Sequence, residues 1–318
     1  MLRSPPMPEP IEALDRLLDR RVLVLTGKGG VGKSSVTAAL AALAARRGKR
    51  VLACEVNAND RLPALLGAPP AGPSLAELRP NLWSVDVRPH EAMLEYAQMK
   101  LHLPAIVRAV FENRLMRYFL RAIPSLAEVV ILGKILFHAR EREGERPRFD
   151  LVLVDAPATG HALALLRVPE VVGAAVPPGA LADDMRWMRA LLEDPAQTAI
   201  NLVSLPEEMP VNETFQLERA LRDVGLPLGV CFLNGVWPHR FAPGELDQLP
   251  PRPPWTEVRA AVSHLEARAD LALSEAGRLR RGTDLPVIEL PYLFDAPFGP
   301  PAIERLSLLL EGKLGVAA

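Results

Sequence analysis

Residues 27–34 read Gly27-Lys28-Gly29-Gly30-Val31-Gly32-Lys33-Ser34, after an apolar run ending at Thr26 and before a helical pattern starting at Lys33. This spacing is that of a phosphate-cradling loop. Glycines let successive backbone N–H groups turn inward around phosphate oxygens, and the helix start adds partial positive charge. Lys33 then reaches the β- and γ-phosphate oxygens, the Ser34 hydroxyl sits on Mg²⁺, and Ser35 continues the binding turn. Lys28 is a second cation in the loop, free either to face solvent or to serve a phosphate. Two carboxylates stand at the ends of apolar runs, Glu55 after Arg50–Cys54 and Asp155 after Leu151–Val154. A strand-end Asp is often a turn former. In an open α/β sheet it also lies at the edge where ligands bind.

Positioning these groups requires a sheet whose strands all end on one side. Seven short, largely apolar segments read as strands: Arg21–Thr26, Arg50–Glu55, Leu82–Val87, Phe149–Asp155, Thr198–Leu205, Leu228–Asn234 and Pro286–Leu290. Helical patterns occupy Lys33–Arg47, Ala180–Glu193, Val211–Val224 and Trp255–Leu279 between them, the rhythm of a parallel sheet covered on both faces. Three further helices are expected near 90–103, 105–122 and 125–142, where the strand rhythm stops. The reading is therefore a tail and short helix over 1–20, with 1–9 loose, a core over 21–88 and 145–318, and a helical insertion over 89–144. Apolar residues of the insertion, among them Met93, Val110, Phe111, Leu115, Met116 and Phe119, either pack on the core or form a groove for a client.

Composition narrows the alternatives. With 37 Lys+Arg against 38 Asp+Glu, the chain is no broadly basic nucleic-acid binder, and no nucleic-acid partner is expected. No apolar run is long enough for a membrane span, so no direct membrane insertion is expected. Cys54 and Cys231 are the only cysteines, which leaves no zinc or iron–sulfur ligand set and suits reduced thiols in the cytoplasm. Of the 32 prolines, many punctuate the ends of strand–helix units, and none falls in the phosphate-loop helix.

Lys28-Gly29-Gly30-Val31-Gly32-Lys33-Ser34 and Asp155-Ala156-Pro157-Ala158-Thr159-Gly160-His161 together resemble the arsenite-pump and tail-anchored-protein-targeting ATPases. These stand in the wider class of the MinD and ParA ATPases and the nitrogenase iron protein. Leu205 to Thr214 resembles a segment of single-domain bacterial relatives, Asn234 matches their adenine-reading asparagine, and Pro291-Tyr292 falls in their adenine-covering loop. The resemblance implies a mostly parallel, doubly wound α/β sheet of the P-loop NTPase type, with ATP and Mg²⁺ as cofactors and ATP hydrolysis as the activity. It implies that Lys28 reaches across a dimer interface to the partner's phosphates, that Asp155 holds Mg²⁺ through water, and that Pro157–Gly160 move with the γ-phosphate. His161 could serve structure or catalysis.

Three departures qualify that picture. Where the family reads Asp-Pro-Ala-His, this chain reads Glu55-Val56-Asn57-Ala58-Asn59-Asp60, so Glu55, or alternatively Asp60, orients the attacking water. Arsenite-binding cysteines are absent, as is the C-x-x-C that clamps the targeting dimer with zinc. One nucleotide module per chain implies a second chain, either a homodimer or a heterodimer with a paralogue. The expected function is ATP hydrolysis at that interface, moving the insertion to bind a protein client or a membrane-protein partner. A nucleotide-timed positioning protein of the MinD or ParA type is the alternative.

Overall fold

The computed structural model describes residues 10–101, 125–242, 244–295 and 297–312. Its elements in chain order are α1 (Pro10–Leu18), β1 (Val22–Thr26), α2 (Lys33–Arg46), β2 (Val51–Val56), α3 (Arg61–Leu65), β3 (Ala76–Arg79), β4 (Leu82–Val87), α4 (Pro89–Leu101), α5 (Leu126–Arg140), β5 (Arg142–Glu143), β6 (Arg146–Pro147) and β7 (Leu151–Asp155). There follow α6 (Thr159–Ala175), α7 (Ala180–Glu193), β8 (Thr198–Ser204), α8 (Glu208–Asp223), β9 (Leu228–Val236), α9 (Trp255–Gly282), β10 (Val287–Pro291) and α10 (Pro300–Leu310).

Eight strands form one sheet in the order β10-β9-β8-β1-β7-β2-β4-β3, parallel except for the edge pair β3 and β4. All seven expected strands are present. Along the central strands both faces are apolar. Val22, Val24, Leu52, Cys54, Val152 and Val154 face α4 to α9, while Leu23, Leu25, Val51, Ala53, Leu151 and Leu153 face α1, α2, α3 and α10. Such runs are what a parallel sheet with helices on both sides requires. Helix α2 is Ala-rich and buried almost all round between the sheet and α10, which suits a helix without a polar face.

Five elements escaped the sequence reading. The antiparallel edge strand β3 carries Ala-Glu-Leu-Arg and is only partly buried, so no apolar run marks it. Helix α3 has five residues and contains Pro63. Helix α6 continues through Pro169, and β5 and β6 make a two-residue hairpin just beyond α5.

Helices α4 and α5 pack on each other, and Val129, Val130, Leu132, Ile135 and Leu136 of α5 join the cluster on the α4–α9 face. Met93 is partly buried against the same cluster. The tail 1–9 and the expected helix 105–122, with Val110, Phe111, Leu115, Met116 and Phe119, lie outside the described residues. No helix among the described residues is long and apolar enough to cross a membrane.

Candidate functional site

The strand register brings the acidic groups into one row. Asp155 on β7 is the neighbour of Leu25 on β1 and of Glu55 on β2, and Glu55 in turn neighbours Asp86 on β4. Three carboxylates thus sit side by side at the C-terminal edge of the sheet, next to the loop that follows β1.

That loop is shaped by its glycines. Gly27 (φ +154°), Gly30 (φ +86°) and Gly32 (φ +88°) take up left-handed or related conformations that side chains rarely adopt. A Cβ on Gly27 would stand 2.1 Å from the Val203 carbonyl oxygen, and one on Gly32 would stand 2.2 Å from Asn234 Nδ2. Between them Val31 is buried in the core and anchors the loop. Helix α2 begins without a side-chain cap, so its first amides are left to face an anion.

Lys33 folds back over the loop, its Nζ donating to the carbonyls of Gly27 (3.2 Å) and Lys28 (3.0 Å). Burial holds its pKa below the usual lysine value, against the pull of Asp155 and with the help of the nearby Arg61. The Ser34 hydroxyl donates to Asp155 Oδ2 at 2.6 Å, and the other oxygen, Oδ1, is buried without a hydrogen-bond partner. Burial raises the Asp155 pKa, while the Ser34 hydrogen bond, Lys33 and Arg61 oppose the rise. A hydroxyl and a half-satisfied carboxylate converging on one point fit a hard divalent cation such as Mg²⁺. Among the described residues no three His, Cys, Asp or Glu side chains gather to hold a metal unaided. A cation here would complete its shell with phosphate oxygens and water.

Glu55 is fully buried, and neither carboxylate oxygen has a hydrogen-bond partner. Its pKa is pushed up to about 7, chiefly by burial and further by Asp86 and Asp155. The amides of Leu62 and Arg61 lie near enough to oppose that rise without closing a hydrogen bond to either oxygen. An acid poised near neutrality, with no structural partner, is suited to general-base work. Asp60, the alternative, is already engaged. Its Oδ1 accepts from the Gly72 amide at 2.6 Å, and its Oδ2 lies 3.4 Å from Arg88. In the segment that follows Glu55, Asn57, Asn59 and Asp60 all have positive φ.

The Asp155–Gly160 segment touches the loop directly. Thr26 Oγ1 donates to the Pro157 carbonyl at 3.5 Å, and the Thr159 amide donates to Gly27 O at 3.2 Å. His161 is exposed in the first turn of α6, and its side chain has no hydrogen-bond partner among the described residues. Lys28 pairs with Glu213 of α8 at 2.9 Å, each about 30% exposed (30% and 29%). That pairing could not be read from the sequence, where Glu213 is only one acid of a polar helix.

Asn234 sits behind the loop, its Nδ2 donating to Val31 O at 3.0 Å. Beyond the ends of β9 and β10 the Tyr292 amide donates to Val236 O, following Pro291. The Tyr292 ring stacks on Trp237 (centroids 4.4 Å apart), with Phe294 edge-on at 4.9 Å. Trp237 was missed, since a single aromatic after a strand carries no pattern.

Both cysteines are buried, and burial pushes each thiol up to about 12. Thiols of that kind are poor nucleophiles and poor metal ligands. A thiol-reactive dye added to the native protein is expected to label neither within minutes, and both after unfolding. Rapid native labelling would contradict this placement.

A family model described as anion-transporting ATPase matches residues 20–178. The chain is 30% identical over 279 residues to the ATPase BagA of Mycobacterium tuberculosis (strain ATCC 25618 / H37Rv), a match covering 85% of this chain and 77% of that protein. It is 24% identical to the arsenical pump-driving ATPase of Acidiphilium multivorum, over 77% of this chain and 44% of the relative. Against the ATPase ARSA1 of Chlamydomonas reinhardtii the identity is 23%, over 68% and 35% respectively.

Proposed function

The chain belongs to the anion-transporting ATPase family, and from that premise we propose that it hydrolyses Mg-ATP at an interface between two chains and uses the cycle to move a helical segment that binds a protein partner. The observation that carries this reading is the Ser34–Asp155 hydrogen bond beside the glycine loop, with Lys33 poised over it. Mg²⁺ bound there supplies positive charge to the β- and γ-phosphate oxygens. Lys33 leaves the loop carbonyls for those oxygens, and the loop amides hold the phosphates in place. Glu55 takes a proton from the attacking water, and its neutral-range pKa lets it do so near pH 7. Tyr292, backed by Trp237, offers the base a stacking surface near Asn234.

Lys28 completes the site of a second copy in this reading, stabilising charge that develops as the γ-phosphate leaves. Coupling has a structural rationale. Strand β4 carries Asp86 in the row with Glu55 and leads into α4, while α5 leads through the β5–β6 hairpin into β7, which ends at Asp155. Residues 89–144 are therefore tethered at both ends to strands that finish in the site. The occupant of that segment is a protein client or a membrane-protein partner. Arsenite has no thiolate ligands here, because both cysteines lie buried in strands.

The MinD-like positioning reading gains less support. Helix α10 buries Ile303, Leu306 and Leu310 and packs against α2, so its apolar face is already spent and unavailable to a membrane. The test of the proposed function is light scattering of the purified chain with Mg-ATP, with Mg-ADP and without nucleotide. Twice the chain mass with Mg-ATP supports a homodimer. A monomer that nevertheless turns over ATP would remove the interface from the account, and a dimer only with a co-expressed paralogue would make it a heterodimer.

A further inference from the structure

Arg61 immediately follows the left-handed residues Asn59 and Asp60, in the segment that leaves Glu55. Its side chain is exposed, and among the described residues it has no ion pair and no hydrogen bond. The neighbouring cations differ. Arg88 is held by Asp86 and Asp60, Lys28 by Glu213, and Lys33 by two loop carbonyls. Yet Arg61 opens α3 directly beyond β2, whose Glu55 is the register neighbour of Asp155, so it stands at the same edge of the sheet as the loop, and its charge bears on both Lys33 and Asp155. A triphosphate entering beside three carboxylates needs compensating positive charge, and Arg61 is a cation at the site's edge that is not already committed.

We propose that Arg61 is a further phosphate-binding residue, which takes the γ-phosphate oxygens in its planar fork and so distinguishes a nucleoside triphosphate from the diphosphate. Guanidinium matches phosphate with two parallel N–H donors, a geometry that lysine lacks. This inference rests on the ATP-site reading above. It adds a charge from this chain that the family resemblance did not assign.

The test is calorimetric titration of Mg-ADP and of a non-hydrolysable Mg-ATP analogue into wild type, Arg61→Ala, Arg61→Lys and Lys33→Ala. Arg61→Ala is expected to weaken the analogue by about tenfold and ADP by less than about twofold, with Arg61→Lys recovering part of the loss. Equal losses for both nucleotides, or no loss for either, would overturn the proposal. Lys33→Ala separates this outcome from failure of the underlying reading. If Lys33→Ala binds both nucleotides like wild type, or wild type binds neither, the phosphate site itself is misplaced and the role of Arg61 falls with it.

Discussion

Replacing Glu55 by glutamine is expected to slow ATP hydrolysis by about 100-fold or more while making the protein more stable above pH 7. The two effects share one cause. Glu55 is buried with neither oxygen hydrogen-bonded, and its pKa is raised from an ordinary 4.5 to about 7. Since the folded chain binds this proton more tightly than the unfolded chain does, the group stabilises the fold only at low pH. Its contribution is lost as pH rises from about 4.5 and is fully gone above about 7, a difference of about 3 kcal/mol. Glutamine resembles the protonated acid in shape and stays neutral. Thermal melts at pH 8 should therefore place the variant roughly 2–5 °C above wild type, with the gap shrinking at pH 5. Nucleotide affinity should stay within about threefold of wild type, because the reading gives Glu55 a water to orient and no phosphate to hold. A variant that hydrolyses ATP normally would take the base role from Glu55. One that melts lower at pH 8 would show the carboxylate to be satisfied in solution.

Lys33→Ala is expected to weaken Mg-ATP binding by about 100-fold and to reduce turnover below detection. Charge-assisted hydrogen bonds to a phosphate are worth about 1.5–3 kcal/mol each, and Lys33 is the loop cation nearest to Asp155 in charge influence. The fold should tolerate the change, since the ammonium contacts only Gly27 O and Lys28 O, carbonyls of the loop itself. Stability within about 1 kcal/mol of wild type, together with lost binding, is the outcome that separates a binding role from a structural one. Full affinity in Lys33→Ala would remove the loop from the account.

Much of this site was legible because its parts lie at element boundaries. The loop is contiguous, and Glu55 and Asp155 close apolar runs, so a parallel sheet had to bring them to one edge. Their placement in a single row was not legible, because strand order depends on which helices cross over and sequence spacing does not encode it. Asp86 was therefore missed, as were the Lys28–Glu213 pair and Arg61. Each is a lone charge whose meaning comes from a residue far away in the chain. Short or half-polar elements were lost for a related reason. Strand β3 is held by pairing to β4, and α3 by Leu62 packed in the core, so tertiary contacts outweigh weak local signals.

The proposed in-trans role of Lys28 would carry a definite cost, since Glu213 would have to release it before it could reach a partner's phosphates. The pair is partly exposed, and such pairs contribute about 1 kcal/mol or less, so release is accessible to a nucleotide-driven step. The most direct test mixes two inactive variants, Lys28→Ala and Lys33→Ala, and follows phosphate release. If Lys28 acts on the other chain's nucleotide, random pairing restores roughly a quarter of the wild-type rate, because half of the dimers are mixed and each has one intact site. If the mixture stays as inactive as its components, Lys28 serves its own loop and the shared site at the centre of the account is wrong.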